Sequence, residues 1–352
     1  MASSSGVAAP NVDIILDGTE VKDHDFISYI VERDINQPDV ASVILANQND
    51  IYTPKCKIGG TLEIKVGTDS KQVYVGEILG VEPIYRGGET TKILIRSINK
   101  MHRLIRKRKS MTFTDKNDQQ ILDQVVKDAG LTLEWKHDTN ITYKHVYQHN
   151  LNGLEFVRQR AARLGAHVWC VDKTLHVKEP DLGQKSGVKL SVDKDGNLRS
   201  FMPRMNSSSV LNKVTVKGWD PEKKELITGE ATAQNSPLGG KNAVAACSTI
   251  GGNEETFTCD HPIWSKQEAD ALAKARLRDL NLQFITGEAE CAGNADLELG
   301  KSVEIEANAR EGNDPFNGDY YVMGITHRHT LPKGKDGGFV TILKLARDAQ
   351  KA

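Results

Sequence analysis

At 352 residues the chain is long enough for two to three domains, each with a core of its own. Its formal net charge of -1 excludes a global field that would recruit nucleic acid or an anionic membrane, and no apolar run approaches the length of a membrane-spanning helix. Five cysteines, scattered at 56, 170, 247, 259 and 291, imply reduced thiols and cytoplasmic synthesis rather than a disulfide framework or a zinc knuckle.

Met1 to Pro10 is small and polar, without the charged start and apolar stretch of a signal peptide, and reads as a flexible arm. From residue 11 to about 110 short strands alternate with turn residues. Ile14 to Leu16 is followed by the turn Asp17-Gly18, then Phe26 to Ile35, Val40 to Leu45, Leu62/Ile64/Val66, Val73 to Tyr85, Gly87-Gly88 and Ile93/Ile95. Period-two alternation broken by regular turns argues an antiparallel sheet curled into a first β-barrel.

Residues 111–205 are expected to form a mixed middle domain. Ile121, Leu122, Val125 and Val126 make one helical stripe over 118–129, with Thr114 and Asp115 as capping candidates and Gly130 as the stop. Residues 145–178 hold a second unit: Asn150 or Asn152 as cap, then Leu154, Val157, Ala161 and Leu164 at helical spacing, then Gly165 as a left-handed stop. The period then changes to two, predicting a strand over Ala166 to Val171, a turn at Asp172-Lys173, and a return strand with Leu175 and Val177 on one face.

Strands return at Val214/Val216, the turn Asp220-Pro221 and Leu226 to Ala233, and a Gly/Ala/Ser-rich stretch from Asn235 to Gly252 without periodicity reads as a mobile loop. Ser265 and Glu268 form a capping box that opens a helix over 265–281. Strands resume at Phe284 to Cys291, Val303/Ile305, Tyr320 to His329 and Val340 to Leu345, giving a second barrel over 206–347, interrupted by that helix, and a tail at 348–352.

Candidate chemistry is weak throughout, and the expectation is that no residue is catalytic and that none binds a metal or cofactor. Arg103, Arg106, Lys107, Arg108 and Lys109 lack the interleaved aromatics of a nucleic-acid site and read as a solvated helix end or a subunit salt-bridge surface. His145 and His149 are spaced i, i+4, but their segment reads as strand and no third ligand follows at zinc spacing. His327 and His329 alternate on a strand as ladder residues. Asp193-Lys194-Asp195-Gly196 begins like a calcium loop, yet Arg204 stands where the bidentate Glu belongs, so it is a turn. Gly239-Gly240-Lys241-Asn242 resembles a phosphate loop, but Asn235 occupies the first glycine position and the Ser/Thr is missing. Glu155, inside an Asn-capped helix, serves the positive helix end.

Four stretches in order carry a family resemblance. The first is the basic run 103–109 leading into Met111-Thr112-Phe113, and the second is the helix Ile121 to Ala129 ending at Gly130. The third runs from Tyr147-Gln148 through Glu155-Phe156-Val157, Ala161 and Gly165. The fourth is Ser265 to Phe284 followed by Leu299-Gly300, Gly318-Asp319-Tyr320-Tyr321-Val322 and Thr326-His327. Together they resemble the hub proteins of contractile tails: the phage late control gene D proteins, Mu-like baseplate hubs and the N-terminal part of type VI secretion spike proteins.

The resemblance implies an α+β, mainly antiparallel β fold with two tube-like barrels flanking a mixed helical and hairpin middle domain. It implies a non-enzymatic structural hub of a contractile phage tail or tail-like injection particle, assembled in the bacterial cytoplasm and carried in the baseplate. The partners it implies are two further copies in a homotrimer, the tail tube or a tube initiator, a separate spike protein and other baseplate proteins, with no membrane and no specific nucleic acid among them. The oligonucleotide-binding-like domain and β-helix of type VI spike proteins are absent from the sequence, which favours phage, pyocin or extracellular injection particles. Two other classes compete with this reading. A tail-associated peptidoglycan hydrolase would need a carboxylate pair or zinc site in a cleft, and a nucleic-acid-binding module would use residues 103–109 with strong salt dependence.

Overall fold

Alternation of period two governs both ends of the chain and brings them into one sheet. The computed structural model describes residues 11–193, 196–249, 253–259, 262–308, 310, 312–333 and 336–351. The arm at 1–10 lies outside these, as do Lys194-Asp195 of the expected turn, residues 250–252 of the expected loop, and residue 352.

The N-terminal half contains β1 (Val12–Leu16), β2 (Thr19–Glu20), β3 (Phe26–Asp34), β4 (Val40–Ala46), β5 (Thr61–Val66), β6 (Lys71–Ile84) and β7 (Lys92–Ile98). Asp17 (φ 47°) and Gly18 (φ 81°) give the β1–β2 hairpin the doubly left-handed turn that matches strand twist. Register follows burial: Leu62, Ile64 and Val66 of β5 stand opposite Leu16, Ile14 and Val12 of β1. A one-residue slip would expose that whole set. Their inner face joins Tyr29, Val31, Val43, Leu45 and Ile95 in one core.

In the middle, β8 (Arg108–Asn117) leads into α1 (Asp118–Asp128), β9 (Thr132–Lys136) and β10 (Thr142–Asn152), and then α2 (Gly153–Leu164), β11 (His167–Val171) and β12 (Thr174–Lys178) complete the unit. β8 pairs antiparallel with β10, while β12 pairs antiparallel with β11 and parallel with β9. Asn117 caps α1 in a reciprocal box with Gln120, which corrects the expected caps Thr114 and Asp115: both lie within β8, Thr114 opposite His145. Asn152 is the cap of α2, in a box with Glu155, and Gly165 (φ 64°) ends the helix. Leu154, Val157, Ala161 and Leu164 are all buried.

The remaining elements are β13 (Lys185–Ser191), β14 (Leu198–Met205), β15 (Lys213–Asp220), β16 (Glu225–Thr232), β17 (Lys241–Asn242), α3 (Ala243–Ala246), β18 (Glu254–Thr258), α4 (Lys266–Asn281), β19 (Ile285–Ala292), β20 (Ser302–Glu306), β21 (Gly318–Lys333), β22 (Asp336–Arg347) and β23 (Ala349–Gln350). Two expectations are corrected. The strands over 213–232 do not join a second barrel; with β18 they form a separate three-stranded sheet in the order β16-β15-β18. One face of that sheet is covered by α4, whose Ala269, Ala273 and Leu277 meet Val214, Val216 and Ile227. At Gly229 a Cβ would stand 2.2 Å from the backbone of Ala269, so the closeness of this packing requires glycine. The stretch from 235, read as mobile, is docked: β17 pairs with β23, Asn242 caps α3, and Leu238 and Ala243 are buried in the C-terminal core.

The molecule is thus α+β and mainly antiparallel, as expected, but its two β-rich ends are not separately closed barrels. One 13-stranded sheet runs β14-β19-β22-β21-β3-β4-β7-β6-β5-β1-β2, with β20 also on β21 and β13 parallel to β20. Among the described residues nothing pairs β14 with β2. The junction is β21 on β3, from Gly324 opposite Asp34 to Thr330 opposite Ser28. Phe339 of β22 packs into the N-terminal core, while Leu343 and Leu345 of the same strand pack into the C-terminal one.

Candidate assembly interface

The densest groups of charged side chains are internal. Asp118 and Arg160, both nearly fully buried, meet at 2.6 Å. Tyr143 donates its hydroxyl to the other Asp118 oxygen at 2.9 Å, and the Arg160 guanidinium lies 4.4 Å from the Tyr143 ring centre. Burial pushes the Tyr143 phenol far above its ordinary value, so it is a fixed donor. Arg163, one turn on, pairs with buried Glu268 of α4. That carboxylate accepts from the Trp264 amide at 3.1 Å and Ser265 Oγ accepts from the Glu268 amide, so the expected capping box reaches one residue further back. These contacts tie α1, β10, α2 and α4 together.

A second cluster gathers in the middle of β6, where Glu77 stands opposite Ile98 at the end of β7. Burial raises the Glu77 pKa, but the bonds from Arg103 and from His102, whose Nε2 lies 2.6 Å away, outweigh it and hold the carboxylate below its ordinary range.

The sequence candidates separate. Of the basic run, Arg103 pairs with Glu77, Arg108 with Glu155 at 2.9 Å and Lys109 with Asp128 at 2.8 Å, so these charges are matched within the chain. Arg106 and Lys107 are exposed. His145 and His149 are exposed on β10, and among the described residues no three His, Cys, Asp or Glu side chains are grouped to hold a metal. His327 and His329 are buried at the β3–β21 junction. Burial lowers both, His327 to about 3, and His327 Nδ1 lies 3.0 Å from Thr341 Oγ1. Glu155 receives the Asn152 amide at 3.0 Å, the role at the helix start read from the sequence.

The surface that sequence reasoning missed is a half-open cleft of about 1100 Å³ between α2, the C-terminal end of α4 and the free edge of the large sheet. Its edge strand, β14, pairs among the described residues with β19 alone and presents Met202, 63% exposed, beside Arg204. Arg158 of α2, Arg204 and Glu288 line the cleft and make no ion pair within the described residues, whereas Lys344 is held by Asp34 at 2.8 Å. An unpaired strand edge with an exposed thioether and unmatched charges of both signs suits a protein partner better than a small substrate. No sequence signal could have assembled it, because its walls run from Asn36 to Ala346, 310 positions apart.

A mainly antiparallel sheet spanning both ends of the chain, with a helical middle and its charged clusters sealed inside, is the fold of phage tail proteins. The chain is similar in structure to the 43 kDa tail protein of prophage MuSo2 from Shewanella oneidensis, with TM-score 0.70 and 14% identity over 97% of this chain and 99% of that one. It is similar to a tail protein of Neisseria meningitidis, with TM-score 0.70 and 13% identity over 97% of each chain. It is also similar to an E. coli component of the type VI secretion system described as structurally similar to the T4 tail proteins gp27 and gp5, with TM-score 0.58 and 11% identity over 97% of this chain and 75% of that one. Among curated protein sequences none matches. The model of the Alg8 N-terminal domain matches residues 8–330, and the chain belongs to that family.

Proposed function

We propose that the chain is a structural hub of a contractile phage tail or tail-like injection particle, a homotrimer that joins the sixfold tail tube to the threefold central spike and starts tube assembly. The observation that carries this reading is the likeness to a tail protein from end to end, over 97% of this chain and 99% of that one. A likeness confined to one part would leave most of the given residues unexplained; this one takes in nearly all of them.

The physical case is one of symmetry. Three copies related by a threefold axis, each with two β-rich halves, offer six comparable faces to a tube and three to a spike. The first unit is 11–110 and the second 206–347, with the middle unit 111–205 between them; by strand pairing, β13 and β14 travel with the second unit. Free sheet edges such as β14 then extend by main-chain pairing, which tolerates divergent side chains. In this reading no residue is catalytic and no cofactor or metal is held. The protein is made and assembled in the bacterial cytoplasm, and its partners are the tube or tube initiator, a separate spike and neighbouring baseplate proteins.

Deleting the gene from a producing strain and imaging the lysate is the test. Free spikes with absent or length-disordered tubes are expected; normal-length tubes bearing spikes would overturn the reading. Native mass measurement of the chain with its spike should give three copies, and a dimer or tetramer would contradict the hub.

A further inference from the structure

The glycine pair Gly239-Gly240, which fails as a phosphate loop, borders a second pocket of about 340 Å³ whose lining includes Arg347. Arg347 has no solvent exposure. Its Nε donates to Leu238 O at 3.1 Å and its Nη1 to Asn317 O at 2.9 Å and Pro315 O at 3.3 Å, while the guanidinium lies 5.2 Å from the centre of the Tyr320 ring. Every partner is neutral. The remaining nitrogen, Nη2, is buried and has no acceptor in hydrogen-bond geometry among the described residues. A buried cation without a counter-ion is among the costlier arrangements in a folded protein.

The neighbouring acid, Asp348, feels the Arg347 charge but is hydrogen-bonded to Ser236 and not to the guanidinium, and the acids that line the pocket are held elsewhere. Glu304 and Glu306 are held by Lys189 at 3.5 and 3.1 Å, and Asp319 by Lys185 at 2.8 Å. The exposed Lys351 also lines the pocket and has no ion pair among the described residues. Only glycine fits beside Nη2 at two positions: a Cβ at Gly318 would come within 2.5 Å of it, and one at Gly239 within 2.9 Å. One acceptor is orphaned as well, the buried Oδ1 of Asp319.

We propose that this pocket is a carboxylate-binding site. One carboxylate oxygen accepts from Arg347 Nη2, Lys351 supplies a second positive charge at the rim, and Asp319 Oδ1 accepts from an N–H close to the bound carboxylate. That pairing of donor and acceptor fits a glutamate or aspartate, whose carboxylate and amide lie a few bonds apart. The three lining acids disfavour a doubly charged phosphate. The carboxylate can come from a small molecule or from an acidic side chain of a protein segment, and the two are separable.

The test is calorimetric titration of the full chain at constant ionic strength with acetate, a terminally blocked glutamate peptide, the same peptide with glutamine, and inorganic phosphate. Saturable millimolar binding of acetate and of the glutamate peptide is expected, with the glutamine peptide roughly tenfold weaker or worse. A glutamate peptide that binds more tightly than acetate assigns the site to a protein segment; the reverse order assigns it to a small carboxylate, and either upholds the site. Arg347→Leu removes three carbonyl bonds and can unfold the region, so the decisive variant is the surface change Lys351→Glu, which should weaken carboxylate binding roughly tenfold without moving the unfolding midpoint. No saturable heat with any carboxylate, phosphate binding tighter than both carboxylates, or an unchanged affinity in Lys351→Glu would overturn the proposal.

Discussion

Single residues set the limits of the middle unit. Asn152 satisfies the start of α2 and Gly165 its end, but they differ in what replacement meets. Asn152→Ala loses one cap bond, a cost of about 1 kcal/mol. Gly165→Ala faces a left-handed φ of 64° and a Cβ 2.5 Å from Ala275 of α4, so it should cost clearly more, and urea unfolding of the two variants checks that order. The caps and stops of α2 were legible because capping chemistry is local; the pressure of α4 on Gly165 was not, since Ala275 lies far along the chain.

Histidine supplies a pH prediction at the same scale. His167 and His327 are both held at about 3 by burial, below their ordinary 6.5. The unfolded chain therefore binds more protons between about 3 and 6.5, so the stability from neutral burial is complete above about 6.5 and is lost as the pH falls through that window. Asp39, raised to about 6 by burial, acts in the opposite sense between about 4 and 6, so the total slope understates the effect. The difference between wild type and His327→Gln isolates it: the variant's stability should lose about one proton of pH dependence between pH 5 and 6.5. Parallel slopes would show that His327 is not the group responsible.

Between elements, the Asp118–Arg160 pair fastens α1 to α2 in a place where water is excluded. Removing either partner leaves the other charge buried alone, so Asp118→Asn and Arg160→Met should each cost roughly 3 to 5 kcal/mol, while the double change should cost much less than the sum. A double-mutant cycle read by denaturant unfolding tests this, and additive losses would mean that the two groups do not form one unit. Leu154→Asp and Val157→Asp, each placing a charge on the buried stripe of α2, should abolish folding outright. Element type was largely readable here from periodicity: Ile121, Leu122, Val125 and Val126 sit on the buried face as their spacing requires. The parallel strand β9 and the strands β13, β14 and β18 were not, because each takes its place from partners remote in sequence. The cap of α1 was misread for a related reason, since β8 runs on to Asn117 and leaves Thr114 inside a ladder.

Across the whole molecule, hydrophobic alternation in Leu62/Ile64/Val66 and Val303/Ile305 gave away two half-buried sheets, and both sets are buried. That the halves share one ladder could not be read, because the pairing of β3 with β21 is set by main-chain groups and by residues such as Gly324, where a Cβ would meet Asp34 Oδ1 at 2.2 Å. Gly324→Val should accordingly disturb both halves together, with a loss in near-ultraviolet dichroism and unfolding midpoint larger than a surface substitution gives. The cleft beside β14 stayed hidden for the same reason, as it exists only once the third dimension is in place. The junction also orders events in time. Phe339 completes the packing around Tyr29, and β3, paired on one side with β4, gains its second neighbour only from residues 324–330, so a ribosome must translate past residue 339 before residues 12–98 can finish folding. During that interval the nascent chain carries an open edge on β3 and an incomplete apolar interior, the condition under which chaperones are recruited and inclusion bodies form. Slowing translation over the codons for residues 300–330 should therefore lower soluble yield more than slowing it over those for residues 12–40.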